Sequence, residues 1–171
     1  MSERNNINEN EQDEDIFMGS LSHGIAQANM TTLLSNDNRF RIITELSLDA
    51  SQIDLSQFGL KVKEELIPDV CLYSKKEIQR PIRGDDIPKM SKMPLLVIEV
   101  LSLKQTIDDI VTKFKAYFAL GIKSCWLVIP ANESVTVYSK PGDFVSFGTK
   151  EAEVVDEIMD IRLPIQKIFE W

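Results

Sequence analysis

The sequence predicts an α/β fold, a mixed β-sheet with helices on its faces. Three observations carry this reading. Leu95 to Ser102 is a run of Leu, Val and Ile broken by one acid, Glu99, as expected of a central strand covered on both faces. Residues 106–120 repeat apolar side chains at helical spacing, with Ile107, Ile110, Val111, Phe114, Tyr117 and Phe118 on one stripe. Cys125 to Ile129 is a second buried run. Strand, helix and strand in that order form a crossover, which joins parallel neighbours with right-handed sense. The strands before it are joined by loops, compatible with antiparallel pairing.

Taken in order, residues 1–15 carry six acids (Glu3, Glu9, Glu11, Asp13, Glu14, Asp15) against Arg4 and have almost no apolar content. They are expected to form a disordered or loosely attached arm. Ile16-Phe17-Met18 then opens a single domain over 16–171, long enough to bury a core. Ser20 or Ser22 caps a helix over 21–35, with Ile25, Met30, Leu33 and Leu34 inward. Asn36-Asp37-Asn38 is a turn. Arg39 to Asp49 alternates as one strand, with Phe40, Ile42, Thr44, Leu46 and Leu48 on its apolar face. Phe58, Leu60 and Val62 suggest a short strand that Pro68 stops, and Asp69 to Ser74 is an apolar strand opened by an acid. Residues 75–94 hold Pro81, Pro88, Pro94, Gly84 and many charges, the composition of a loop.

After the Glu99 strand, Thr106 caps the helix, Asp108 and Asp109 sit in its first turn where the dipole favours anions, and Gly121 ends it. Pro130 stops the Cys125 strand, and Val135 to Tyr138 pairs back across Ala131-Asn132-Glu133. Pro141-Gly142-Asp143 and Phe147-Gly148 punctuate shorter strands. Ile165, Ile168 and Phe169 pack the terminal segment on the body.

The net charge of −8 argues against indiscriminate nucleic-acid binding. The charge is uneven, however. Between Lys75 and Lys123 there are ten Lys or Arg against six acids, and that basic stretch contains Glu99. No segment approaches the ~20 apolar residues of a membrane span, so no membrane partner is expected. The N-terminus has neither a secretory nor an Arg-rich targeting pattern. Cys71 and Cys125 lie in apolar runs without CxxC spacing. They read as reduced core cysteines of a cytoplasmic protein, with a disulfide between neighbouring strands as the alternative.

The chemistry turns on Glu99. An ionised Glu in a buried strand loses several kcal/mol of hydration unless it is neutral, paired with a cation, or bound to a metal. Pro68-Asp69 supplies a second carboxylate at the start of another strand. Two such acids can converge on a hard cation such as Mg²⁺. The ion would activate water toward a phosphoryl group, and a nearby lysine would stabilise the charge that develops. Each residue also has a plainer reading. Asp69 starts a strand, Glu99 pairs structurally with Lys113, Lys113 is a solvated helix-edge residue, Tyr117 is core, and His23, the sole histidine, begins a helix. No nucleophile elbow, glycine-rich phosphate loop or His-based zinc pattern is present.

Ser22-His23 before a helix, then Pro68-Asp69, Ile98-Glu99-Val100-Leu101-Ser102, Lys113 with Tyr117 four residues on, Gly121 and Cys125-Trp126-Leu127-Val128 occur in that order. This set resembles the Uma-two family of bacterial endonucleases, within the PD-(D/E)XK nuclease superfamily, over most of residues 20–171. The resemblance implies a restriction-endonuclease-like mixed β-sheet flanked by α-helices. It also implies an endonuclease, dependent on Mg²⁺ or Mn²⁺, that hydrolyses phosphodiester bonds in DNA. Asp69 and Glu99 match the metal-binding acids, and the backbone carbonyl of Val100 would be a third ligand. Two departures stand out. The lysine usually found two residues after the Glu is Leu101 here, and Lys113 matches the place where this family brings one in from the following helix. The early acidic segment reads Asp13-Glu14-Asp15-Ile16-Phe17-Met18-Gly19-Ser20, which leaves Glu45 as a candidate replacement acid. Nucleases of this fold often pair to cut both strands, so a homodimer is compatible. The alternative is a catalytically inactive binding or assembly module on the same fold.

Overall fold

Local signals start and stop most elements. The computed structural model describes residues 19–62 and 64–171. The expected acidic arm and its packed end at Ile16-Phe17-Met18 lie outside those residues. Ser20 caps helix α1 (Leu21–Ser35), its hydroxyl accepting from the His23 backbone N–H. Strand β1 (Phe40–Thr44) follows, then the two-residue strands β2 (Leu48–Asp49) and β3 (Glu65–Leu66), then β4 (Val70–Ser74) and β5 (Leu96–Val100). Thr106 and Asp109 form a reciprocal capping box at the start of α2 (Ile107–Ala119), and Gly121, with φ of 93°, turns the chain after it. The remainder is β6 (Ser124–Ile129), β7 (Ser134–Lys140), β8 (Asp143–Phe147), β9 (Glu153–Asp156), β10 (Ile161–Pro164) and the short α3 (Ile165–Ile168).

Six strands form one sheet in the order β1-β4-β5-β6-β7-β8. Only β5 and β6, the pair joined through α2, run parallel; the other neighbours are antiparallel. The sheet is therefore mixed, and β5, buried at every residue, lies inside it. Alternation along the strands divides the core in two. One side joins Val70, Leu72, Ile98, Val100 and Trp126 to Ala26, Met30 and Leu34 of α1 and to α3. The other joins Cys71, Tyr73, Val97, Cys125 and Leu127 to Ile110, Phe114 and Tyr117 of α2.

Several expectations require correction. The strand read over Arg39–Asp49 breaks at Glu45, whose φ of 51° lies in the left-handed region. The chain leaves the sheet there, and Leu48–Asp49 pairs instead with Glu65–Leu66. The strand expected on Phe58, Leu60 and Val62 is absent. Asp54 caps a short 3-10 helix at Leu55–Phe58, ended by Gly59, and this local hydrogen bonding outcompetes an extended chain. On α1 the inward row is His23, Ala26, Met30 and Leu34, with Ile25 and Leu33 only half-buried, because spacings of three and four keep the first four on one face. Ile107, at the first residue of α2, is exposed.

Cys71 and Cys125 are free and buried. Each pairs across to Val97, so one strand separates them. Two strand spacings amount to about 9.5 Å, beyond the roughly 7 Å a disulfide spans. Among the described residues no helix is long and apolar enough to cross a membrane.

Asp156 ties the β9–β10 hairpin to the sheet. Its buried carboxylate accepts from Trp126 Nε1 at 2.7 Å, from the Ser124 hydroxyl and from the Met159 backbone N–H at 3.0 Å. Asp156→Ala strands three donors in the interior. It should lower the unfolding free energy by about 2–4 kcal/mol, read as a lower urea midpoint; an unchanged midpoint would remove this role.

Candidate functional site

The site follows from strand register. Val70 pairs with Ile98 and Cys71 with Val97. Extending that antiparallel pairing by one residue sets Asp69 opposite Glu99. Thr44 pairs with Val70, so the same extension sets Glu45 beside Asp69, and the Glu45 N–H donates to the Asp69 carbonyl at 3.1 Å. Three acids therefore share one row across β1, β4 and β5. Asp69 and Glu99 are two residues along from Cys71 and Val97, which places their backbone positions on the α2 side.

Glu99 is 2% exposed. Its Oε1 accepts from the Tyr117 hydroxyl at 2.7 Å and lies 3.7 Å from Lys113 Nζ. Lys113 and Tyr117 are one helical turn apart, so both reach down from the same edge of α2. Lys113 keeps 24% of its side chain exposed, so its ammonium sits at the margin of the core. Burial pushes Glu99 up to about 7; Lys113 opposes this, the Asp69 charge adds to it, and the Tyr117 hydrogen bond opposes it. Tyr117 itself is raised well above its ordinary value, by burial first and then by Glu99, and so remains a protonated donor.

Asp69 is held at several points. Its Oδ2 accepts from the Val100 N–H at 2.7 Å and lies 3.4 Å from His23 Nε2. Its carbonyl accepts from Gln27 Nε2 at 3.1 Å as well as from Glu45. His23 is 7% exposed and is held above its ordinary pKa, first by its close contact with the Asp69 carboxylate and against the cost of burial, with Glu99 and Glu45 adding to the rise.

Val100 completes the arrangement. Its N–H turns toward Asp69, and in a strand the carbonyl of the same residue turns to the same side. The next N–H, that of Leu101, donates to Val128 on the opposite neighbour. The residue across from Val100 in the extended register is Pro68, which has no N–H to offer that carbonyl. The proline of Pro68-Asp69 thus leaves the Val100 carbonyl without a ladder donor from β4.

The expected residues Asp69, Glu99, Val100, Lys113 and Tyr117 come together. Glu45 differs from its expected place: it lies past the end of β1 rather than on a strand face, and it is exposed. Leu101, two residues past Glu99 at the noted departure from the family pattern, packs half-buried against the α2-side core. His23 and Gln27 were not expected at the site. For His23 the signs were its place in the Ser22-His23 match and its being the sole histidine, just past a helix cap; Gln27 carried none beyond its spacing of four from it. Among the described residues, no three or more His, Cys, Asp or Glu side chains are grouped as a metal cluster. The side-chain donors on offer are two carboxylates, a number that suits Mg²⁺ held alongside water and substrate oxygens.

The comparisons agree in kind. A family model named Uma2 and described as "Putative restriction endonuclease" matches residues 13–164. The crystal structure of a protein described as a putative nuclease belonging to DUF820, from Anabaena variabilis ATCC 29413, superposes with a TM-score of 0.68 at 19% identity. The match covers 89% of this chain and 82% of that one, and it establishes the restriction-endonuclease-like fold. Among curated proteins the sequence finds no match.

The Glu99 environment has a consequence for stability. A carboxyl whose pKa is raised on folding favours the native state while protonated, and that contribution is lost as pH climbs through the window. In metal-free buffer the unfolding free energy should fall as pH rises from 4.5 toward about 7. Glu99 alone would contribute on the order of 3 kcal/mol. His23, raised above 6.5, acts in the same direction at higher pH. Urea titrations of wild type and Glu99→Gln at about pH 5 and about pH 8 check this: the mutant should lose less stability between them, and parallel losses would contradict the assignment.

Proposed function

The chain belongs to the Uma2 family, and from that premise we propose that it is a PD-(D/E)XK endonuclease that uses Mg²⁺ or Mn²⁺ to hydrolyse phosphodiester bonds in DNA. The observation that carries this reading is the placement of Asp69 opposite Glu99, each with one oxygen held by the protein. Tyr117 and Lys113 hold Oε1 of Glu99, while Val100 and His23 hold Oδ2 of Asp69. Among the described residues, neither second oxygen makes a hydrogen bond. A hard cation suits that donor set, with the Val100 carbonyl as a third oxygen. When bound, such an ion withdraws charge from a phosphoryl oxygen and makes water a nucleophile at neutral pH.

The chain's own groups have distinct parts. Tyr117 orients Glu99 by donating to it, and stays protonated while doing so. Lys113, from α2, takes over the charge-stabilising work of the lysine displaced by Leu101. Glu45 is a further candidate acid beside Asp69, close enough for its charge to be felt at His23. We read DNA as the substrate because the Lys75–Lys123 stretch is basic on an otherwise acidic chain. Buried, unpaired cysteines suit the cytoplasm, and a homodimer would allow both strands to be cut.

A second reading is supported by Leu101. With no lysine on β5 and with Glu99 already satisfied by Tyr117 and Lys113, the same arrangement would serve an inactive binding or assembly module. Plasmid nicking and Mn²⁺ calorimetry separate the two. On the nuclease reading, Asp69→Ala and Glu99→Gln each lower metal-dependent nicking by about 100-fold or more, and Mn²⁺ binding disappears in Glu99→Gln. Nicking unchanged by Asp69→Ala sinks the nuclease; no Mn²⁺ binding in wild type favours the module.

A further inference from the structure

We propose that His23 is a positioning residue that sets the orientation of the Asp69 carboxylate, so that α1, through one imidazole, governs how tightly the site holds its cation. This rests on the reading of Asp69 and Glu99 as metal ligands. Three observations carry it.

The first is the double grip. His23 and Gln27 are four residues apart on α1 and face the same way. Gln27 Nε2 donates to the Asp69 backbone carbonyl at 3.1 Å, and His23 Nε2 lies 3.4 Å from Asp69 Oδ2. One residue of α1 fixes the Asp69 main chain and the other its carboxylate. The second is that the imidazole is itself confined. It is buried, its backbone N–H is capped by the Ser20 hydroxyl at 3.3 Å, and a Cβ added at Gly19 would stand 2.8 Å from its Nδ1. Glycine at 19 therefore leaves the space in which the ring sits. The third is division of labour on one oxygen. Oδ2 takes both the Val100 N–H and His23 Nε2. Two contacts at Oδ2 orient the carboxylate plane and leave Oδ1 for a cation.

Groups that hold a metal ligand without touching the metal typically change its affinity by about 10–100-fold when removed. The experiment is Mn²⁺ titration of the full chain by calorimetry, with electron spin-echo spectroscopy of the bound Mn²⁺. His23→Ala should weaken Mn²⁺ by about 10–100-fold, whereas His23→Gln, which keeps an N–H donor at a similar reach, should bind within about threefold of wild type. Gly19→Ala keeps the imidazole but displaces it, and should weaken binding as His23→Ala does; it also guards against a His23→Ala chain that fails to fold. No ¹⁴N modulation should appear in wild type. Equal Mn²⁺ affinity in wild type, His23→Ala and Gly19→Ala overturns the role of His23 and leaves the metal reading standing. Modulation from ¹⁴N that vanishes in His23→Gln overturns it in favour of direct ligation. No Mn²⁺ binding in wild type overturns both this role and the metal reading beneath it.

Discussion

The antiparallel register of β4 on β5 is the constraint on which the site depends. It sets Asp69 across from Glu99, and side-chain alternation then gives both the same side of the sheet. A slip by one residue would send Glu99 toward α1 and leave Tyr117 and Lys113 facing Ile98 or Val100. The register is well enforced, because both faces of these strands are buried: Ile98 and Val100 pack on the α1 side, Val97 on the α2 side. A carboxylate can persist in such a strand because its cost is shared. Burial raises Glu99, while a phenol and an ammonium support its charged form.

Around this row the two helices do different work. The α2 helix approaches Glu99 with Tyr117 and Lys113; α1, packed on the other face, grips Asp69 with His23 and Gln27. Each carboxylate is thus held by a different layer, and the relative placement of the acids reports how both helices sit on one sheet. The proline before Asp69 acts through what it lacks. With no N–H it leaves the Val100 carbonyl unpaired from β4, while Asp69 takes the Val100 N–H with its side chain.

Leu101 is accommodated rather than tolerated. A lysine there would have to reach past the α2-side core, where Leu101 now packs. Lys113 reaches Glu99 from the helix above and keeps part of its length in solvent, which lowers the cost of bringing a cation to a buried acid. The positive charge thus comes from the helix and lies 3.7 Å from Glu99.

Much was legible in the sequence because it is local. The capping signals of Ser20 and Thr106 and the stop at Gly121 set the helices, and the apolar runs set β4, β5 and β6. The crossover order implied a parallel β5–β6 pair, and Asp69, Glu99 and Lys113 stood out as charges beside or within those runs. What the sequence did not determine was non-local or energetically close. The break at Glu45 is a left-handed backbone turn made beside Asp69, and alternation alone cannot report a left-handed residue that ends a strand. The 3-10 turn at Leu55–Phe58 won over a strand by short-range hydrogen bonds that an alternating pattern hides. His23 and Gln27 look like ordinary helix residues until the packing of α1 carries them to Asp69, 46 and 42 positions away. Only the tertiary structure joins them, because such contacts arise where layers meet and leave no period along the chain.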